Sequence, residues 1–185
     1  MKTLTQSFSL SLNRSMVWTA TQVALGGLFL AAMAQVSIPL YPVPMTLHTF
    51  AVFMLAIGQG EKKGAYSCLF YLALLSMGLP FLQGWGANTL WYLFPTGGYL
   101  LSFPIAAFVI GKIIGSRENP SPLRIMGSIL SGQLIIYTLG VAGLMRFLSF
   151  EQSLISGMLI FLPLAGVKLL AATSLGGLWL KWKRK

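Results

Sequence analysis

The chain has 185 residues, 56% of them apolar and 9% charged, and its mean hydropathy is +0.77. Soluble domains carry about 25% charged residues, so a water-soluble globule is excluded: its surface would be apolar over most of its area. The same hydrophobicity excludes a disordered chain. The length suits one compact domain. A net charge of +10 is compatible with a nucleic-acid binder until the positions of the charges are read. One cysteine, Cys68, allows neither an internal disulfide nor a cysteine metal site.

Charges punctuate the sequence. None lies between Arg14 and Glu61, or between Lys63 and Lys112. A bilayer-spanning helix needs about 20 mostly apolar residues, so each of these runs has room for two helices and a return loop. Prolines break the first run at Ser37-Ile-Pro-Leu-Tyr-Pro-Val-Pro44, and proline removes backbone donors. Gly78, Pro80, Gly84, Gly86 and Pro95-Thr-Gly-Gly98 mark the second loop. The pattern predicts helices over 16–36, 45–60, 64–80, 98–115 and 124–145. Ser149-Phe-Glu-Gln152 has capping-box spacing, which predicts a short interfacial helix over 150–160 before a last span over 162–180. The expected fold is therefore an all-α membrane protein with six transmembrane helices. Its parts are an N-terminal segment (1–15), a six-helix domain (16–180) and a basic tail (181–185).

Six spans put both termini and the turns near 61–63 and 112–124 on one side. That side holds every Lys and Arg except Arg146 and Lys168. The positive-inside rule then places both termini in the cytoplasm, in a multi-pass protein of the cell (inner) membrane. An odd number of spans would scatter the charges. The tail Lys181-Trp-Lys-Arg-Lys185 reads as an anchor at anionic lipid, not as a nucleic-acid arm. Ala32-Met-Ala34 has the form of a signal-peptidase site; the leader would be long and its loss would upset the charge partition, so the segment is read as retained. No internal repeat is evident.

The missing residues exclude whole classes of chemistry. There is one histidine, His48, and no Asp. Glu61, Glu118 and Glu151 all sit at expected membrane edges. An enzyme's nucleophile–base pair or a metal cluster is hard to build from this set. No carboxylate lies within a span to couple transport to an ion gradient, and no phosphate-binding loop is present. Uphill transport would need energy from another subunit. No cofactor and no metal are expected.

Polar and aromatic residues gather instead on the extracytoplasmic side. They are Gln35, then Tyr41, Thr46 and His48 around the first loop, then Gln83, Trp85, Asn88, Trp91, Tyr92, Thr96 and Tyr99 around the second. Each has a plainer reading: an interfacial belt for the aromatics, an interhelical hydrogen bond for Gln35, a packed neutral imidazole for His48. Lys168 lies six residues into the last span with no acid in obvious reach. An intramembrane ionisable group is a functional candidate by default, and an anionic ligand is the expected partner, with snorkelling as the alternative. Gly97 and Gly98 open a helix, where glycines let a backbone approach a ligand, or simply make a tight turn.

Taken in order, several segments resemble the BioY family, the biotin-specific substrate-binding (S) components of energy-coupling factor (ECF) transporters. They are Ala34-Gln-Val-Ser-Ile-Pro39 with Pro42-Val-Pro-Met-Thr-Leu-His-Thr49, Tyr71-Leu-Ala-Leu-Leu-Ser-Met-Gly-Leu-Pro80, Pro95-Thr-Gly-Gly-Tyr-Leu100, and Phe161-Leu-Pro163 followed by Lys168. Two positions depart from the family pattern: His48 stands where Gln is usual, and Ala165 where Asp is usual. The resemblance implies a binding subunit that captures biotin outside and delivers it inward with a transmembrane coupling protein and ATPase subunits, tipping in the membrane to release it. It implies that Asn88 faces the ureido group, that Tyr41, Trp91 or Tyr99 covers the thioether ring, and that Lys168 pairs with the carboxylate. Ala20, Ala24, Gly27 and Ala31 on the first helix have small-xxx-small spacing, suited either to docking the coupling protein or to packing within the chain. The rival readings are a binder of a biotin precursor or another small vitamin, and a ligand-free structural membrane protein.

Overall fold

The computed structural model describes residues 2–115 and 120–182, with side chains from Arg14 onward. It is mostly helical. Helices α1 (Lys2–Gln35), α2 (His48–Ser76), α3 (Gly97–Gly115), α4 (Pro122–Leu144), α5 (Phe150–Gly157) and α6 (Leu162–Trp182) follow one another in the chain. Short 3-10 turns cover Gln83–Trp85, Trp91–Leu93 and Leu159–Phe161. Arg117, Glu118, Lys183, Arg184 and Lys185, which enter the charge reading, lie outside the described residues, as does the side chain of Lys2.

Local chemistry sets the helix starts. The hydroxyl of Ser121 accepts the Arg124 backbone N–H at the head of α4, with Pro122 in the first turn, where a missing N–H costs nothing. Ser149 caps α5 by accepting from the Gln152 backbone, as its spacing predicts. Pro104 lies inside α3, and spanning helices tolerate it because neighbouring groups re-satisfy the freed carbonyl.

α2 is two helices in one. A straight helix would hold His48 and Tyr71 about 34 Å apart, yet His48 Nε2 lies 2.9 Å from the Tyr71 hydroxyl. The chain reverses at Gly60, whose φ of 83° and ψ of −176° belong to a region only glycine enters readily. The two arms, 48–59 and 61–76, run antiparallel. The turn expected at 61–63 therefore falls at Gly60, and 61–63 are helical. Two other boundaries move: α1 continues back to Lys2, and the second arm stops at Ser76 rather than near 80. Between α1 and α2 a two-residue antiparallel ladder pairs Ser37 with Thr46 and Ile38 with Met45.

Four stretches are long and apolar enough to cross a bilayer among the described residues: Arg14–Gln35, Gly97–Gly115, Pro122–Leu144 and Phe150–Trp182, the last joining α5 to α6. α3 is the central element. It is 56% buried over its apolar stretch, against 11% for the last one, and it packs between α2 and α4. Phe103, Ala106, Ala107 and Ile110 of α3 meet Phe53, Tyr71, Ile129 and Ile136 in one core. Lipid is as apolar as leucine, so close packing rather than water exclusion holds such helices together.

Replacing Gly60 by Ala forces a β-carbon into a glycine-only region, although nothing lies within 4 Å of it. The cost is about 1–3 kcal/mol, and thermal unfolding in detergent should show Tm lowered by roughly 5 °C.

Candidate functional site

A cavity of about 400 Å³ opens between the α1–α2 and α2–α3 loops, within the range of small-molecule sites. Five sets of residues build it. The ladder and the start of α2 supply Thr46, His48 and Thr49; the second loop supplies Gln83, Asn88, Trp91 and Thr96; α3 supplies Tyr99 and Phe103. α4 supplies Gln133 and Tyr137, and the last helical stretch supplies Phe161, Ala165 and Lys168.

Lys168 is the one charged side chain on the wall and is 9% exposed. Its ammonium donates to the carbonyl of Thr46 and to Thr49 Oγ1 at 3.2 Å. An ammonium has three hydrogens, so one remains for the cavity. No carboxylate lines the wall. A buried cation without a counter-ion is costly in low dielectric, and an incoming anion relieves that cost.

Hydrogen-bond directions show which other polar groups are free. The Tyr71 hydroxyl donates to the Phe81 carbonyl at 3.0 Å, so it accepts from His48 Nε2–H. His48 Nδ1 is then an acceptor and takes the Thr46 hydroxyl proton at 3.1 Å. The ring's nitrogens are both spent within the chain. Trp91 Nε1–H donates to Ser76 Oγ at 3.1 Å, and Tyr99 donates to the Gly157 carbonyl at 2.7 Å. His48, Trp91 and Tyr99 thus give the cavity surface rather than hydrogen-bond donors. Asn88 Oδ1 accepts the Leu90 N–H at 2.8 Å, which leaves its NH₂ group for a ligand.

The other sequence candidates stand apart from the wall. Gln35 Nε2 donates to the Leu82 carbonyl at 3.0 Å and its Oε1 accepts the Trp85 N–H at 2.9 Å, so it ties the end of α1 to the second loop. Tyr41 is 96% exposed and is not on the wall. Gly97 and Gly98 do not line it either. A β-carbon on Gly97 would meet the Tyr92 backbone, and one on Gly98 the Leu139 carbonyl of α4; the backbones these glycines admit belong to the chain itself. Gly27 and Ala31 are buried, with Gly27 facing Phe70 and the backbone of the second α2 arm. For these two the structure shows the second of the two readings, packing within the chain. Ala20 is exposed and Ala24 half-buried.

Sequence reasoning missed Gln133 and Tyr137. Their signal was available: two polar side chains one turn apart in an apolar span.

A helical membrane bundle with a cavity of apolar walls and a few converging polar groups defines a solute-binding membrane protein. The comparisons are specific. The model of the BioY family matches residues 3–184, and the chain belongs to that family. It is 37% identical over 146 residues to a probable biotin transporter BioY of Pyrococcus horikoshii, covering 77% of this chain and 86% of that one. It is 39% identical over 123 residues to a biotin transporter BioY of Thermotoga maritima, covering 65% and 72%. In structure it is similar to the S-component for biotin from an ECF-type ABC transporter, with TM-score 0.80, 25% identity and 94% of each chain covered.

Tyr71→Phe would strand His48 Nε2–H and the Phe81 carbonyl. A buried group left unpaired costs about 1–3 kcal/mol, so a lowered Tm in detergent is expected, while Tyr41→Phe should leave Tm unchanged.

Proposed function

We propose that this chain is the membrane-embedded S component of a biotin uptake system. It captures biotin in the cavity from the extracytoplasmic side and hands it inward through an ECF coupling protein and ATPase subunits. One observation carries the reading: a lone ammonium, Lys168, faces a cavity of ligand size that has no carboxylate on its wall. Biotin brings the missing anion. Lys168 pairs with the ligand carboxylate, a charge-assisted bond of the strong kind, and Asn88, expected at the ureido group but with its Oδ1 taken by the Leu90 N–H, donates its NH₂ group beside it instead. Trp91, Tyr99 and Phe103 cover the ring, where sulfur–aromatic contacts are favourable. No cofactor enters this account, and the chain is not the ATPase.

In the membrane we read six spans, counting the two arms of α2 separately. α5 lies at the outer interface, and both termini are cytoplasmic with the basic tail 181–185 at the lipid surface. The domain is 16–180, preceded by 1–15. The support is the reversal at Gly60 and the placement of Lys and Arg, which obeys the positive-inside rule. Ala20 and Ala24, which do not pack into the core, are the part of the small-residue stripe left for the coupling protein.

Purified protein should bind biotin saturably at submicromolar levels, a free energy beyond about −8 kcal/mol. Lys168→Met should weaken biotin binding about 10- to 100-fold, the worth of a charged hydrogen bond, and weaken biotin methyl ester much less. Equal loss for acid and ester would turn the ligand round and put its ureido oxygen at Lys168; no binding by folded protein would remove the biotin reading. In a Cys68→Ala background, a membrane-impermeant thiol reagent should label Leu90→Cys from outside intact cells and Lys62→Cys only after permeabilisation. The reverse pattern would invert the topology.

A further inference from the structure

We propose that Gln133 and Tyr137 of α4 form the subsite for the ureido ring. This assignment rests on the biotin reading and goes beyond it by naming which groups read the ring. Both residues line the cavity, and neither makes a hydrogen bond within the described residues. Tyr137 is only 7% exposed, yet among the described residues no fully buried side-chain oxygen or nitrogen lacks a partner. Its hydroxyl therefore touches open space, and the space beside it is the cavity. A helix that spans lipid does not carry two unsatisfied polar side chains on one face without cause.

The ligand's needs match what is left. A cyclic urea offers two N–H donors and one strong acceptor. Its donors require acceptors, and most oxygens and nitrogens of the wall are already committed. Thr46 and His48 bond one another, Thr49 Oγ1 accepts from Lys168, and Asn88 Oδ1 accepts from Leu90. The Gln133 amide presents an acceptor beside a donor, the complement of one H–N–C=O edge of the ring. The Tyr137 hydroxyl, one turn on, takes the remaining N–H. Gln83 and Thr96 also keep free side chains, but they come from the second loop, at the mouth.

Depth agrees with this orientation. At 1.5 Å per residue, about 16 Å of helix separates Gln133 from the outer end of α4 at Leu144 and about 10 Å separates Tyr137 from it, against about 9 Å between Leu162 and Lys168 on α6, so Gln133 marks the deep end of the subsite. The ring enters first and lies against the middle of α4. The carboxylate tail stays nearer the mouth, within reach of Lys168 and Asn88.

The test compares wild type, Gln133→Met and Tyr137→Phe, each titrated with biotin and with biotin methylated on one ureido nitrogen. Wild type should prefer biotin by about tenfold or more, the worth of a lost hydrogen bond with its partner left unpaired. Each variant should bind biotin about five- to tenfold more weakly, and Gln133→Met should narrow the preference. Because neither side chain bonds to the protein, the Tm of the ligand-free variants should be unchanged or raised, and only the shift induced by biotin should shrink. If wild type binds biotin and both variants match it in affinity and preference, the α4 assignment falls while the biotin reading stands. A lowered ligand-free Tm in both variants would make the pair structural and would also overturn it. If folded wild type does not bind biotin at all, the reading falls and this assignment with it.

Discussion

One buried ammonium without a counter-ion organises the half of this molecule that holds the cavity. Lys168 stands in the first half of a mostly apolar helix, in a chain with no aspartate. Its charge is held by dipoles, the Thr46 carbonyl and the Thr49 hydroxyl, not by an opposite charge. Dipoles soften the cost of a buried cation without cancelling it. The ligand-free protein is thereby poised to accept an anion, and the cavity's remaining polar groups can serve to choose among anions.

The rest of the structure keeps those two threonines in place. Thr46 ends the small ladder after the proline-rich loop, and Thr49 sits in the first turn of α2. His48 lies between them, fixed by a chain of hydrogen bonds from Thr46 through Tyr71 to the Phe81 carbonyl. That chain joins both arms of α2 to the root of the second loop, while Gln35 ties the same loop to α1. Gln35, Thr46 and His48 thus act as a frame. A site in lipid needs this, because polar groups that do not meet the ligand must find partners within the protein.

Much of the fold was legible in the sequence. Spans show as uncharged runs, and prolines, glycines and basic residues mark their ends. The capping serine of α5, Ser149, shows in its spacing, whereas Ser121 at the head of α4 emerges only in the structure. What was not legible depends on tertiary contact. The reversal in α2 falls at Gly60, whereas Glu61, Lys62 and Lys63 draw the eye to the turn beside it. A two-residue ladder is too short to leave a periodic signal. At the site, residue type reveals polarity but not whether a partner waits nearby. His48, Trp91 and Tyr99 reach the cavity wall with their polar atoms already committed. Gln133 and Tyr137 pass for ordinary interhelical polar residues until the structure shows them without partners. The small residues of α1 divide likewise: Gly27 and Ala31 face inward, Ala20 outward, which helical spacing alone does not distinguish.

The central claim is that the cavity's unpaired cation receives the acid end of the ligand. A structure of the protein with biotin bound tests it most directly. The account predicts the ligand inside this cavity, a carboxylate oxygen about 3 Å from Lys168 Nζ, and the bicyclic ring against α4. A ligand bound elsewhere, or a Lys168 ammonium still satisfied only by Thr46 and Thr49 with biotin in place, would contradict it.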